Sequence, residues 1–192
     1  MGGIATLSAD AGSERLPQGL NLSSYAPSNG ATLDLFAGAH VHDYFSLQGD
    51  FIWNRNALLL NSSSSVSNAF YEQERNSSQR AVIFSLLVYF RRRSSRIRPY
   101  LAVGTGVALL SSTSTRLVAS GGTPSLPPAL FSSTGPVLRT HVGMDVRLIR
   151  RLDFRYSFSE TIGSNEISRN LSPPGPRGLA NFQNLFGFVV RF

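Results

Sequence analysis

The chain of 192 residues contains no cysteine and no lysine. Without cysteine there is no disulfide framework, no thiol nucleophile and no thiolate metal site. Without lysine, all 18 basic residues are arginine, set against 11 acids for a net charge of +7. A positive balance first suggests nucleic acid. Here the arginines are scattered among strand-like segments and turns, with no aromatic-rich basic motif and no helix to carry them, so no nucleic-acid partner is expected. The sequence also lacks the run of about 20 apolar residues that a membrane-spanning helix needs. Met1 to Ala11 has neither a basic leader region nor a long apolar one, so no signal peptide is expected within it. Export would require a leader already removed, or a true start upstream of the one given.

What is present is alternation. Two apolar runs, AVIFSLLVYF (Ala81–Phe90) and IRPYLAVGTGVALL (Ile97–Leu110), flank the basic connector RRRSSR. Each is about as long as a tilted β-strand needs to cross a bilayer. In the second run Ile97, Leu101, Val103, Val107 and Leu109 share a face with Pro99 and Thr105, while Arg98, Tyr100, Ala102, Gly104, Gly106 and Ala108 share the other. Period two is the mark of a strand with one apolar face.

The same pattern recurs over Ala31–Val41, Phe45–Arg55, Leu138–Leu148, Leu152–Ser159 and Asn181–Phe192, with a weak first strand at Met1–Ser8. Polar stretches at Asp10–Gly30, Asn56–Ser78, Ser111–Ser133 and Gly163–Leu179, rich in Ser, Asn, Gly and Pro, read as four long loops. Eight strands result, with long and short connections alternating. An even-numbered antiparallel up-and-down sheet puts all long loops at one end, and closing it into a barrel removes both edges. One all-β domain covering residues 1–192 is expected: an eight-stranded antiparallel transmembrane β-barrel.

The apolar face carries the aromatics, including Trp53, Tyr156 and four Phe near the end, while the opposite face combines Gly and Ala with Arg, Asp, Gln and His. An eight-stranded barrel has an interior just wide enough for side chains. Small and charged residues suit that interior, and eight rows of Phe and Leu would overfill it. The apolar face therefore looks outward, against a soluble ligand-binding barrel of lipocalin type. Inward-facing charges are Asp34, Asp50, Arg98, Arg139, Asp145, Arg147, Asp153, Arg155 and Arg191. A tight turn at Ile149–Arg151 would set Asp145 opposite Arg155 and Arg147 opposite Asp153. Charges removed from bulk water need partners, so these nine residues are expected to form a network plugging the lumen. A narrow small-solute pore is the alternative, if the network leaves a water path.

The tail LFGFVVRF ends in Phe192, with the hydrophobe Val190 two residues earlier and Gly187 five residues earlier. With the eight strands and RPYLAVGTGV, it resembles the small OmpA-like and OmpX-like outer-membrane β-barrels of bacteria. Leu185 departs from the pattern, where a polar residue is usual. The resemblance implies an outer-membrane location in a Gram-negative type of cell, turns in the periplasm and long loops outside. It also implies a monomer surrounded by outer-membrane lipids, and recognition of Gly187, Val190 and Phe192 by the barrel-assembly machinery.

Catalytic, cofactor and metal sites are not expected. His40 and His42 have only Asp43 nearby, too few ligands for a metal centre. Some small barrels are lipid-modifying hydrolases, which need a Ser, a His and an acid at the outer rim. His141 points inward with no matching motif. The glycines of Gly104-Thr105-Gly106 lie inside a strand with no following helix, which argues against a phosphate loop. The arginines at 91–93, 96, 98, 150 and 151 gather at the short-turn end, facing lipid headgroups or solvent. Trp53, Tyr89, Tyr100 and Tyr156 are candidates for an interfacial girdle, with lumen packing the equal alternative for Tyr89 and Tyr100.

Overall fold

The computed structural model describes residues 1–121 and 126–192; Gly122 and Pro124 of the expected third loop lie outside the described residues. The chain runs β1 (Gly2–Leu7), β2 (Asp10–Leu16), β3 (Gly19–Pro27), β4 (Gly30–His40), β5 (Phe45–Ser64), β6 (Ala69–Tyr89), β7 (Ile97–Ser120), β8 (Leu130–Ile149), β9 (Leu152–Gly163), the one-turn helix α1 (Glu166–Arg169) and β10 (Leu179–Val190). Among the described residues no helix is long and apolar enough to cross a membrane.

Eight strands close into a ring, β1-β4-β5-β6-β7-β8-β9-β10 and back to β1, every neighbour antiparallel. The ladder fixes its stagger. From Trp53, partners lead one way through Arg80 and Leu109 to Thr134 on β8, and the other way through Leu33, Gly2, Phe186 and Tyr156 to Met144 on the same strand. Those two ends stand ten residues apart, so the strands must tilt, by roughly 35–45° in barrels of this kind. The chain is an eight-stranded antiparallel up-and-down β-barrel. β1 is the shortest stave, and beyond Met1 a cavity of about 470 Å³ lies between the ends of β4 and β10.

The sequence dictates which face looks out. Val82, Phe84 and Leu86 on β6, Leu101, Val103 and Val107 on β7, and Phe186, Phe188 and Val190 on β10 are all exposed, while Ile83, Ser85, Ala102 and others alternating with them are buried. Glycines let the packed interior come close. At Gly143 an added Cβ would lie 2.5 Å from Cζ of Tyr100, whose ring covers that stretch of wall. Tyr89 and Tyr100 are buried in the lumen, so the girdle alternative fails for them; Trp53 and Tyr156 remain on the outer face.

Most of the expected loops are sheet. Asn56–Ser64 continues β5 and Ala69–Ser78 continues β6, paired throughout. Asp10–Pro27 forms the hairpin β2–β3, whose second strand docks on Leu58–Ser64 of β5. Ser111–Ser120 extends β7. Gly163–Leu179 stays largely irregular, apart from α1. These segments escaped a hydrophobicity pattern because their outward face changes character. Beyond Leu59 on β5, and from Arg80 to Glu72 on β6, the outward residues are polar (Asn61, Ser63, Glu72, Glu74), while Leu58, Leu60 and Tyr71 point inward. The inward residues join Leu7, Tyr25, Leu110, Phe131, Ile167, Leu171 and Leu179 in one apolar cluster. The wall is inside-out around its apolar belt and ordinary beyond it.

Overpacking a close-packed wall costs about 1–3 kcal/mol. Gly143→Val should therefore lower the unfolding free energy read from a urea titration by an amount in that range, and pairing it with Tyr100→Ala should recover part of the loss.

Candidate functional site

Inside the belt the alternation of β4 to β10 delivers polar side chains to the lumen in layers. In the middle layer Arg139 of β8 lies 3.1 Å from Asp34 of β4 and 3.5 Å from Asp50 of β5, all three fully or almost fully buried. Its guanidinium also donates to the Ser159 hydroxyl at 3.2 Å. Nearer the turns, Arg155 of β9 grips Asp145 of β8 through two parallel hydrogen bonds of 2.6 and 2.8 Å. The register makes this fit, since Asp145 and Arg155 are direct cross-strand partners. The Tyr89 hydroxyl donates to Asp145 at 3.0 Å and accepts from Arg155 at 3.0 Å.

Gln48 unites the two layers. Its amide nitrogen donates to Asp50 at 2.6 Å, and its carbonyl accepts from Arg155 at 2.7 Å. A second ladder of amides lies toward the cap: Gln183 donates to Asn54, Asn54 to Gln79, and Asn181 to Gln79. Gln48 and Asn54 were legible as inward by alternation, but nothing in the sequence marked them as bridges.

Two expectations are corrected by the geometry. Arg147 stands opposite Asp153 in register, yet it makes no ion pair with it. Arg147 reaches across to the β6–β7 turn and donates to the carbonyls of Ser94, at 3.1 Å, and Arg93. Asp153 pairs with Arg191 from the end of the chain. Likewise Arg98 stands opposite Asp145, but Asp145 is taken by Arg155. The Arg98 guanidinium instead lies 3.8 Å over the Tyr89 ring and donates to the Asp43 carbonyl at 3.0 Å. Register brings a pair together, and a third side chain decides whether it closes.

Gly187, Val190 and Phe192 sit at the closing strand. Gly187 pairs with Arg155 and Val190 with Leu152, and Val190 and Phe192 are exposed on the outer side. His40 contacts the Ser46 hydroxyl, and His141 lies 3.3 Å from the Ser157 hydroxyl deep in the lumen. Among the described residues no three His, Cys, Asp or Glu side chains gather as metal ligands.

The far end of the lumen is covered by the β9–β10 connection. Asn165 caps α1 by accepting from the Ser168 N–H at 3.0 Å, and its amide donates to the Tyr25 hydroxyl at 2.9 Å. Ile167 and Leu171 enter the apolar cluster. Asp10 on β2 binds this segment, accepting from the Ser168 hydroxyl and from the Arg177 N–H at 3.0 Å. Burial would raise the Asp10 pKa, but those two hydrogen bonds, one from the Ala11 N–H and the nearby Arg177 charge outweigh it and hold the carboxyl below its usual value. Arg75, which the sequence seemed to leave in a loop, is almost fully buried. It donates to Gln73, Ser112, Pro128 and Ala129 and stacks on Phe131.

Removing one member of a buried ion pair costs about 3–5 kcal/mol, because the other charge stays buried alone. Asp145→Asn should lose stability on that scale in a urea titration, whereas Arg147→Gln, which breaks no ion pair, should lose about 1 kcal/mol or less. A depressed carboxylate pKa stabilises the fold above the unfolded value, and the gain disappears as pH falls through the folded one. Amide exchange in Asp10–Pro27 should therefore accelerate selectively in acid, beyond its intrinsic pH dependence, and Asp10→Asn should abolish that response.

No protein-family model matches the chain, and no curated protein does. Among solved structures, Ail, the attachment invasion locus protein of Yersinia pestis, is similar over the whole of both chains at 12% identity, with a TM-score of 0.42. By its own ring of eight antiparallel staves, outward apolar belt and inward polar side chains, the chain has the architecture of the small outer-membrane β-barrels.

Proposed function

We propose that the protein is an integral outer-membrane barrel, with its short turns in the periplasm and its extended strands and cap outside. We further propose that it works through that outer surface, without conducting solute or catalysing a reaction. The observation that carries this reading is the change of the outward face from apolar to polar beyond Leu59 on β5 and at Arg80 on β6. A wall that is apolar outside over one band and polar outside beyond it suits hydrocarbon first and water next. Outer-membrane lipids are then the surroundings of the belt, the barrel stands as a monomer, and the closing strand carries the signal for the barrel-assembly machinery.

Two features support a silent lumen. Four carboxylates (Asp34, Asp50, Asp145, Asp153) are paired with three guanidiniums (Arg139, Arg155, Arg191), and a fourth, Arg98, lies over the Tyr89 ring. Above them the cluster around Ile167 and Leu171 spans the barrel. Among the described residues the outer sheet also has an edge: past Ser114, which donates to the Ala129 carbonyl, β7 has no partner on its β8 side, and Thr115–Ser120 are exposed with Leu117 and Val118 among them. An open edge of this kind accepts an added strand.

The narrow-pore reading has one observation in its favour, the cavity of about 470 Å³ at the turn end, which reaches Asp145 and Arg155. Planar-bilayer recording of the refolded protein separates the two, with unheated gel migration as the folding control. A folded barrel should give no discrete openings. Steady unitary steps that change ion selectivity in Asp145→Asn would establish a pore.

A further inference from the structure

Eight of the 18 arginines (Arg91, Arg92, Arg93, Arg96, Arg147, Arg150, Arg151 and Arg191) lie in or beside the two basic turns and the chain's last residues. They do not simply fan into solvent. The Arg147 guanidinium ties the β6–β7 turn to β8 through the Ser94 and Arg93 carbonyls. Between the tied turns lies a concave basin of about 570 Å³, lined by Arg93, Ser94, Arg147, Arg150, Arg151, Arg191 and Phe192.

The charge in that basin is uncompensated. Asp153 is spent on Arg191. Among the described residues, none of Arg93, Arg147, Arg150 and Arg151 pairs with a carboxylate, that of Phe192 included. Arg147 is satisfied by carbonyls, which accept its hydrogen bonds without cancelling its charge. Four like charges around one hollow repel each other unless an anion enters, and guanidinium forks match the oxygens of phosphate. Beside the basin Leu148, Ile149 and Phe192 are exposed and continue the apolar belt to its rim. A polar anionic head with an attached apolar tail satisfies both surfaces at once.

We propose that this arginine basin binds the phosphate-bearing headgroup of an anionic lipid, with its acyl chains along Leu148, Ile149 and Phe192. The assignment rests on the membrane-spanning reading above, which puts the turn end at a lipid–water interface. Phosphate is the recognised chemistry, and a free phosphate ion is the other source of it.

The test is native mass spectrometry of the refolded full chain in neutral detergent, titrated with short-chain phosphatidylglycerol, with phosphatidylcholine and with inorganic phosphate. Phosphatidylglycerol should bind saturably, one per barrel, and phosphatidylcholine should not. Replacing Arg93, Arg150 and Arg151 by Gln should weaken binding by roughly tenfold or more. The charge-matched set Arg91→Gln, Arg92→Gln and Arg96→Gln should weaken it clearly less, since none of the three lines the basin. Equal weakening by both sets would overturn the site in favour of diffuse attraction. Inorganic phosphate binding as tightly as the lipid would overturn the lipid assignment. Both variant sets must keep the unheated gel migration of the folded barrel. If the unsubstituted chain itself shows no such folded form, the membrane-barrel reading fails, and that result is distinct from a folded barrel that binds no lipid.

Discussion

The rest of the structure depends on the obligation to leave no backbone hydrogen-bonding group unpaired against hydrocarbon. In a membrane each open N–H or C=O costs several kcal/mol, so a sheet that crosses one has to close on itself. Closure with a stagger of ten residues over eight strands fixes the tilt, and the tilt fixes a lumen only wide enough for side chains. The inward residues are consequently Ala, Ser and Gln, with larger side chains such as Ile52, Ile83 and Leu87, interleaved with charges. Those charges are buried within the wall, so they share one another.

Pairing inside that lumen is a competition rather than a matching of neighbours. Asp145 has Arg98 across one ladder and Arg155 across the other, and Arg155 wins with a bidentate grip supported by Tyr89 and Gln48. The loser, Arg98, settles for an aromatic face and a carbonyl. Arg147 is displaced in the same way, because Arg191 reaches Asp153. Its displacement leaves a positive charge at the turn end and ties two turns into a basin. A local rearrangement among buried ions thus shapes the surface beyond the barrel mouth.

How much of this was legible in the sequence depended on which solvent each segment faces. Val82, Phe84 and Leu86 or Val103 and Val107 announce themselves, since a band facing hydrocarbon demands apolar residues at every second position. Asn61, Ser63, Glu72 and Glu74 obey the same period two, but they face water on the outside and are interleaved with Leu58, Leu60, Gln73 and Arg75 on the inside. No single hydrophobic rhythm crosses the boundary, so strands of 20 and 21 residues read as strands of half that length followed by loops. The β2–β3 hairpin was hidden for another reason: its second strand is held by the ladder to β5 and by the Tyr25–Asn165 contact, neither of which a local pattern carries. Facing direction was readable for Asp34, Asp50, Arg98, Arg139, Asp145, Asp153 and Arg155, which are buried, whereas Arg147 and Arg191 line the basin at the turn end, and partner choice for Arg98, Arg147 and Asp153 needed three dimensions.

The absence of cysteine makes the central claim, an apolar wall turned outward into lipid, directly measurable. Single cysteines would be placed in turn at Ala102, Val103, Val107 and Ala108 of β7, labelled, and the protein reconstituted in lipid vesicles carrying a lipid-borne quencher and a water-borne one. The account predicts that labels at 103 and 107 are quenched from the lipid phase and not from water, while positions 102 and 108 resist both labelling and quenching. Quenching of 103 and 107 by the water-borne reagent alone would mean that the apolar face does not meet lipid, and would contradict the account.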